Sequence, residues 1–310
     1  MRRVRYEETG GPEVLRLEEA PVPEPGPGEL LVRTEAVGVT LPVVRKVREG
    51  GLPLPAGPGG EVAGEVVAVG PEVAGFAVGD RVTGLCFRDA YADHAVLGAA
   101  MASLIPAGAS AVEAVALVRT GLVAWGAYEA ARPAEGESVL VTAAAGGAGH
   151  LAVQLAKARG AGRVVAAVGS AAKADFVRSL GADEVVTYDQ ESWGEPVDIV
   201  LDAVGGELLG PAVAALAPGG RLVAYSSGGG TIQAYDLLVG AKSAIGFQMA
   251  LIARERPELM ERWRRELWEL FAAGRIRPRV HAELPLEAAA EAHGLVESRR
   301  NEGKVVLRTA

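Results

Sequence analysis

The chain has a single cysteine, Cys86, and only four histidines, His94, His150, His281 and His293, in 310 residues. One thiol closes no internal disulfide and cannot build a cysteine-rich zinc lobe. No two of the histidines stand at a short ligand spacing, so no metal site is expected. Basic residues are outnumbered, 31 against 39 acidic, for a net charge of −8. Such a balance gives no general pull toward nucleic acid or anionic membrane. The opening stretch MRRVRYEETGGPEVL carries no apolar h-region, so no signal peptide is expected. The nearest thing to a membrane span, AVEAVALV, is short and holds an acid. A cytoplasmic protein with small-molecule partners is the expectation.

What is present is apolar and glycine-rich: 49% hydrophobic residues and 41 glycines. That is ample for a buried core, and the length suggests two domains. Residues 1 to 100 read as β-rich. LLVRTEAVGV and EVAGEVVAVG are valine-rich strands separated by PVPEPGPGE, GGLPLPAGPGG and FAVGDRV, a pattern of short strands and turns that suits a barrel or sandwich. A helix is expected over 111–131, ended by Pro133 and Gly136. From there strand and helix alternate: SVLVTAA, then GGAGHLAVQLAKARG, RVVAAVG, SAAKADFVRSLG and EVVTY, followed by the strands VDIVLDAVG and RLVAYSS. These strands are apolar throughout rather than on alternate residues, as in a parallel sheet covered on both faces. In the first of the helices Leu151, Ala152, Leu155 and Ala156 share one face, with Gln154, Lys157 and Arg159 on the other. Near the C-terminus, Leu259, Trp263, Leu267 and Phe271 recur every fourth residue, the apolar stripe of an amphipathic helix. Its interleaved Arg and Glu form a solvated face. GKVVLRTA is one more strand.

The segment after SVLVT has the form of a phosphate-binding βα turn. Such a turn must leave the strand tightly, bring backbone close to a pyrophosphate and aim a helix N-terminus at it. Small residues permit all three, and Gly146, Gly147 and Gly149 hold the sensitive places. Ala144 stands where the first glycine of G-x-G-x-x-G is expected. An isolated glycine motif is weak, but this one follows an apolar strand, opens an amphipathic helix and lies in a β-α-β-α-β run. About 20 residues on, an NAD site offers an acid to the ribose 2′-hydroxyl. Here Gly169 and Ser170 occupy that place, and Lys173 follows in the next helical turn. A missing carboxylate and a nearby ammonium favour a 2′-phosphate, hence NADP(H), over a plain surface lysine.

With these segments, GGPEVLRLEEAPVPEPGPGELLVRTEAVGV, GGEVAGEVVAVGPEVAGFAVGDRV, LAPGGRLVAYSS and GKVVL in order, the chain resembles the zinc-independent quinone oxidoreductases of the medium-chain dehydrogenase/reductase superfamily. The resemblance runs over nearly the whole chain. It implies an α/β architecture: a GroES-like β-barrel catalytic domain from residues 1–117 and 256–310, and a Rossmann doubly wound parallel-sheet domain over 118–255. It also implies NADPH-dependent reduction of quinones or activated enones, and a homodimer joined edge to edge through the nucleotide sheets by the segment 240–252. Carried over residue by residue, Ala144, Ala145, Gly146, Gly147, Ala148 and Gly149 match the pyrophosphate loop. Ser170, Lys173 and Tyr188 match positions around the 2′-phosphate, and Val204 and Gly205 the strand end beside the nicotinamide. Asn301 matches a residue that closes over the cofactor, and Ser226, Ser227 and Phe247 complete the cofactor-binding set.

The chain departs from that family after the second strand. In GVTLPVVRKVREG, Thr40 stands for an asparagine near the nicotinamide, Leu41 for an aromatic and Val43 for an aspartate. Val123 replaces a threonine. The reaction pocket is therefore expected to be less polar than in relatives, suited to larger aromatic quinones or polycyclic enones. Thr40 is the candidate donor to a developing enolate oxygen, against a structural role at a turn. Tyr91 and His94 lie in a loop the family places near its cleft, and both read as structural. Cys86 reads as a small packed side chain, and His150 as a phosphate neighbour or a cap of its turn. The altered segment keeps open a second class: an NADPH-binding sensor or interaction protein with little redox activity.

Overall fold

The computed structural model describes residues 1–225 and 228–309. The chain divides into two compact units, 1–119 with 278–310, and 120–277. The boundary falls inside the helix Ala111–Ala130, after Arg119.

The first unit is built on a seven-stranded sheet. Its strand Glu29–Val39 pairs antiparallel with Gly60–Val69, with His94–Gly98 and with the C-terminal strand Lys304–Arg308. Both ends of the chain thus build one sheet. The inner strands are buried along most of their length, whereas the edge strand Val280–Pro285 alternates between half-buried and exposed residues. The alternation in Val280–Pro285 is that of a strand with one face toward water. Val4, Tyr6, Leu30, Leu97, Val305 and Leu307 are among the core side chains. Burying each of the aliphatic chains among them contributes roughly 1.5–3 kcal/mol.

The second unit is a six-stranded parallel sheet. Its spatial order is Glu184–Thr187, Arg163–Val168, Ser138–Val141, Val197–Asp202, Leu216–Ala224, Ser243–Gly246. Numbered along the chain, this is 3-2-1-4-5-6, the Rossmann order. Arg163–Val168 and Val197–Asp202 are buried almost throughout, as their unbroken apolar runs predict.

The helix Pro257–Ala272 belongs to this second unit, whereas the sequence boundary placed 256–277 with the first. The reason is packing against the second half of Ala111–Ala130. A Cβ on Gly121 would lie 2.8 Å from Leu267 Cδ2, and one on Gly126 2.8 Å from Trp263 Cζ3. Two glycines on one helix open the groove that the Leu267 and Trp263 side chains fill. Gln154, expected on the outer face of its helix, is 8% exposed. Its amide donates to the carbonyls of His150 and Arg277, both at 3.0 Å, and accepts from the Arg277 N–H at 2.8 Å. Periodicity alone reads Gln as outward; here it pins the segment that follows the Pro257–Ala272 helix.

By length and composition Ala111–Ala130 is apolar enough to cross a membrane, which the sequence reading did not anticipate; 83% of its apolar window is buried within the protein.

Candidate functional site

In a parallel sheet, ligands bind beyond the carboxyl ends of the strands, where the strand order reverses. Here the reversal lies between Ser138–Val141 and Val197–Asp202. The turn 142–148 leaves the first of these strands and opens the helix Gly149–Ala158. Ala143 takes a positive φ of 48°. Its amide donates to the Tyr188 hydroxyl at 2.7 Å, and that hydroxyl lies 3.3 Å from the Ala167 carbonyl, to which it donates. The Ala144 amide donates to the same carbonyl at 3.2 Å. Tyr188 thus braces the turn against the end of the neighbouring strand.

Gly149 is required by contact: a Cβ there would sit 2.1 Å from the Ala143 oxygen. The Ala143 carbonyl in turn accepts the Gly146 N–H at 2.8 Å. Among the described residues, the amides of Gly147 and Ala148 make no hydrogen bond with the protein. Ala144 and Ala145 are buried, while Gly146, Gly147 and Ala148 are half-buried. An alanine fits at 144 because the side chain points into the protein. His150 is fully buried, with Nδ1 3.0 Å from the Gly146 carbonyl, so the ring ties down its own turn. Unspent amides at the positive end of a ten-residue helix suit a pyrophosphate.

The strand Val197–Asp202 ends in a second device that sequence reasoning missed. Asp202 is 1% exposed. It accepts from the Thr142 hydroxyl at 2.8 Å, the Val204 amide at 3.2 Å and the Gly205 amide at 2.9 Å. Thr142 also accepts from the Ala203 amide at 2.8 Å. A buried carboxylate is tolerated when donors surround it, and here the donors fix the course of residues 203–205. Beyond them, backbone meets backbone. A Cβ on Gly228 would lie 1.6 Å from the Val204 carbonyl oxygen, and one on Gly205, at φ 73°, 2.7 Å from that of Gly229. The glycine run after RLVAYSS, next to an AVGG strand end, was the available signal.

Gly169 and Ser170, at the end of the second strand, are exposed. Ser170 caps the short turn Ala171–Lys173, its oxygen accepting from the Ala172 amide at 3.3 Å. Lys173 is half-buried in that turn. Phe247 turns its ring toward Trp263, with centroids 6.4 Å apart, and toward Gly126. Ser226 and Ser227 lie outside the described residues.

Thr40 and Asn301 belong to the first unit. Asn301 donates to the Gly303 carbonyl at 2.7 Å. Thr40 sits at the N-cap of Leu41–Glu49, yet its side chain makes no capping bond. It lines a cavity of about 100 Å³ with Tyr6, Pro42, Gly60, Cys86 and Arg119. Cys86 is buried, and burial pushes its thiol up to about 12. Tyr91 is buried too, with its hydroxyl 3.1 Å from His293 Nε2. The expected loss of polarity at Thr40 and Val123 is thus only part of the picture, because Arg119 shares the cavity with Thr40. The clue was the single cation, Arg119, in the largely apolar AVEAVALVRTGLVAWGAYEA.

A 3-2-1-4-5-6 parallel sheet with a glycine turn at its switch point in one unit, and a sheet built from both chain ends in the other, is the construction of the medium-chain dehydrogenases and reductases. Two family models agree: the alcohol dehydrogenase GroES-like domain over residues 26–127 and the zinc-binding dehydrogenase over 180–307. A quinone oxidoreductase of Pseudomonas aeruginosa is 33% identical over 99% of both chains. Among solved structures, a mycobacterial protein complexed with NADPH matches at TM-score 0.92 and 32% identity, covering 100% of each chain. The Escherichia coli quinone oxidoreductase complexed with NADPH matches at TM-score 0.91 and 30% identity, again over 100% of each. The chain belongs to the quinone oxidoreductase family of the medium-chain dehydrogenase/reductase superfamily.

Proposed function

We propose that this protein is an NADPH-dependent reductase of quinones or activated enones that works without a metal. The observation that carries it is the braced turn at the sheet's switch point, joined to a second strand that ends in Gly169 and Ser170 rather than an acid. Relatives solved with NADPH support the same cofactor.

NADPH, when bound, supplies a hydride to an electron-poor carbon. The chain's own residues do the rest. The amides of Gly147 and Ala148 and the positive end of their helix hold the pyrophosphate. Ser170 and Lys173 pair with the 2′-phosphate. Asp202 and Thr142 act one step back, holding the Val204–Gly205 turn in place. Thr40, its hydroxyl unspent on capping, donates to the oxygen on which charge develops.

The same proposal includes a cytoplasmic homodimer. The edge strand Ser243–Gly246 is largely exposed, and Tyr235, Leu238, Val239 and Leu251 near it in sequence are 43–73% exposed. An open apolar edge is the usual seat of strand pairing with a second copy. Light scattering should return twice the 31.9 kDa of one chain, and a monomer would refute it.

The test of the activity is steady-state oxidation of NADPH and NADH across a panel of quinones and enones, with and without a chelator. Turnover that favours NADPH and ignores the chelator is expected. Intact NADPH binding with no turnover of any acceptor would make the protein a nucleotide-binding module instead.

A further inference from the structure

The cavity beside Thr40 carries a charge arrangement that a purely structural wall does not need. Glu61 and Lys304 are 1% and 2% exposed and form an ion pair inside the first unit. Gly38 makes room for them: a Cβ there would lie 2.4 Å from Glu61 Oε2 and 2.9 Å from Lys304 Cε. One carboxylate and one ammonium already balance. Arg119 is a third member, its Nη1 3.5 Å from Glu61 Oε1 and its side chain 27% exposed. Burial and the Arg119 charge lower the Lys304 pKa while Glu61 opposes that shift; with Lys304 protonated, two cations against one carboxylate leave one positive charge uncompensated at the cavity wall. Moreover, Arg119 Nε is buried and has no hydrogen-bond partner among the described residues. A guanidinium carries five N–H donors, and a buried charged donor without an acceptor is costly. Arg119 also lines the cavity, so an oxygen that enters there meets its guanidinium.

The other groups around it do not supply that negative charge. Asp89 bears on Tyr6 and Cys86 but does not line the cavity. The Cys86 thiol is neutral and donates to the Val96 carbonyl at 3.3 Å. Burial, with Asp89 nearby, raises the Tyr6 phenol, which therefore stays protonated. Lys46 is a further cation on the lining. Arg119, Thr40 and Tyr6 are thus donors around one space with no anion facing them.

We propose that Arg119 binds the carbonyl oxygen of the acceptor and stabilises the phenolate or enolate that reduction creates there. The proposal rests on the reductase reading above and deepens it by naming the group that meets the acceptor. On reduction the acceptor gains a hydride from NADPH, which is released as NADP⁺. The electron pair displaced from the conjugated C=C or C=O bond comes to rest on the acceptor's oxygen. One proton from water then completes the hydroquinone or saturated ketone. A fixed cation already in place assists this step, because it needs no reorganisation as the charge appears. Glu61 and Lys304 are positioning residues: Glu61 holds the guanidinium, and Lys304 neutralises Glu61 so that the charge of Arg119 remains unspent.

The test uses the full-length protein and a nitrophenol, whose neutral and ionised forms absorb differently. Spectroscopic titration should show that the wild type binds the phenolate at least tenfold better than the phenol, as a charge-assisted contact implies. Arg119→Met and Arg119→Gln each remove the charge and leave the Glu61–Lys304 pair balanced. Each should abolish the preference while NADPH affinity stays within twofold, and Arg119→Lys should restore part of it. With a quinone, the neutral variants should lower kcat by tenfold or more with a smaller change in KM. A wild type that does not bind the probe or prefers the neutral phenol overturns the proposal, as does a folded neutral variant that keeps the preference. If the wild type binds phenolate through Arg119 yet reduces no quinone or enone, the reductase reading fails and the oxygen site stands.

Discussion

Replacing Gly149 by alanine adds one methyl group at the tightest point of the nucleotide turn. The new Cβ would stand 2.1 Å from the Ala143 oxygen, 2.7 Å from its carbonyl carbon and 2.8 Å from Ala144 Cα, where ordinary contact begins at 3.4 Å. All three are backbone atoms, so no side chain can swing away. Ala143 itself is held at φ 48° by the bond from its amide to Tyr188, and its carbonyl accepts from Gly146. Relief therefore requires the turn to shift by roughly 1 Å. Forced overpacking costs about 1–3 kcal/mol, and each hydrogen bond strained or lost adds about 1 kcal/mol. Alanine returns at most about 1 kcal/mol of helix propensity. The net loss is about 1–4 kcal/mol, concentrated in the turn proposed to hold the pyrophosphate. NADPH binding should weaken by about fivefold or more, since about 1.4 kcal/mol is a factor of ten. Gly210→Ala is the control: that glycine lies in the helix Leu209–Ala214, and its Cβ would meet nothing within 4 Å. Fluorescence titration with NADPH and urea unfolding read both variants. Gly149→Ala with NADPH affinity within twofold of wild type and an unchanged unfolding midpoint would refute the reasoning.

Lys173→Ala should weaken NADPH by about tenfold and leave NADH nearly unchanged, because a charge-assisted phosphate contact contributes about 1.5–3 kcal/mol; equal losses in calorimetric titration would remove Lys173 from the phosphate site. His293 contributes to acid sensitivity. Burial lowers its pKa from 6.5 to about 4. The unfolded chain therefore takes up a proton below pH 6.5 that the folded chain refuses until about pH 4. Stability should fall through that window by about 3 kcal/mol from this group alone. In urea unfolding at a series of pH values, His293→Asn should flatten the dependence between pH 6.5 and 4, and an unchanged slope would show that the buried imidazole is not the cause.

How much of this was legible beforehand depends on how local the signal is. The unbroken apolar strands, the small-residue turn at 144–149 and the missing acid at 169–170 are each written within about ten residues. They pointed to the parallel sheet and to an NADP-type turn before any coordinates. The stripe Trp263, Leu267 and Phe271 likewise marked a buried helix face. It did not say which unit would receive that face, because the answer lies in the gaps left by Gly121 and Gly126, more than a hundred residues away. Gln154 looked like a surface residue, since periodicity carries no information about a backbone segment arriving from residue 277. The tertiary structure alone decided the grouping of Glu61, Arg119 and Lys304. In sequence each is one charge in an apolar stretch, indistinguishable from a residue that reaches solvent. Strand pairing through Glu29–Val39 brings residues 61 and 304 together, and the helix Ala111–Ala130 delivers residue 119. Burial then sets the consequence, because charges removed from water must find partners, and here two cations share one carboxylate.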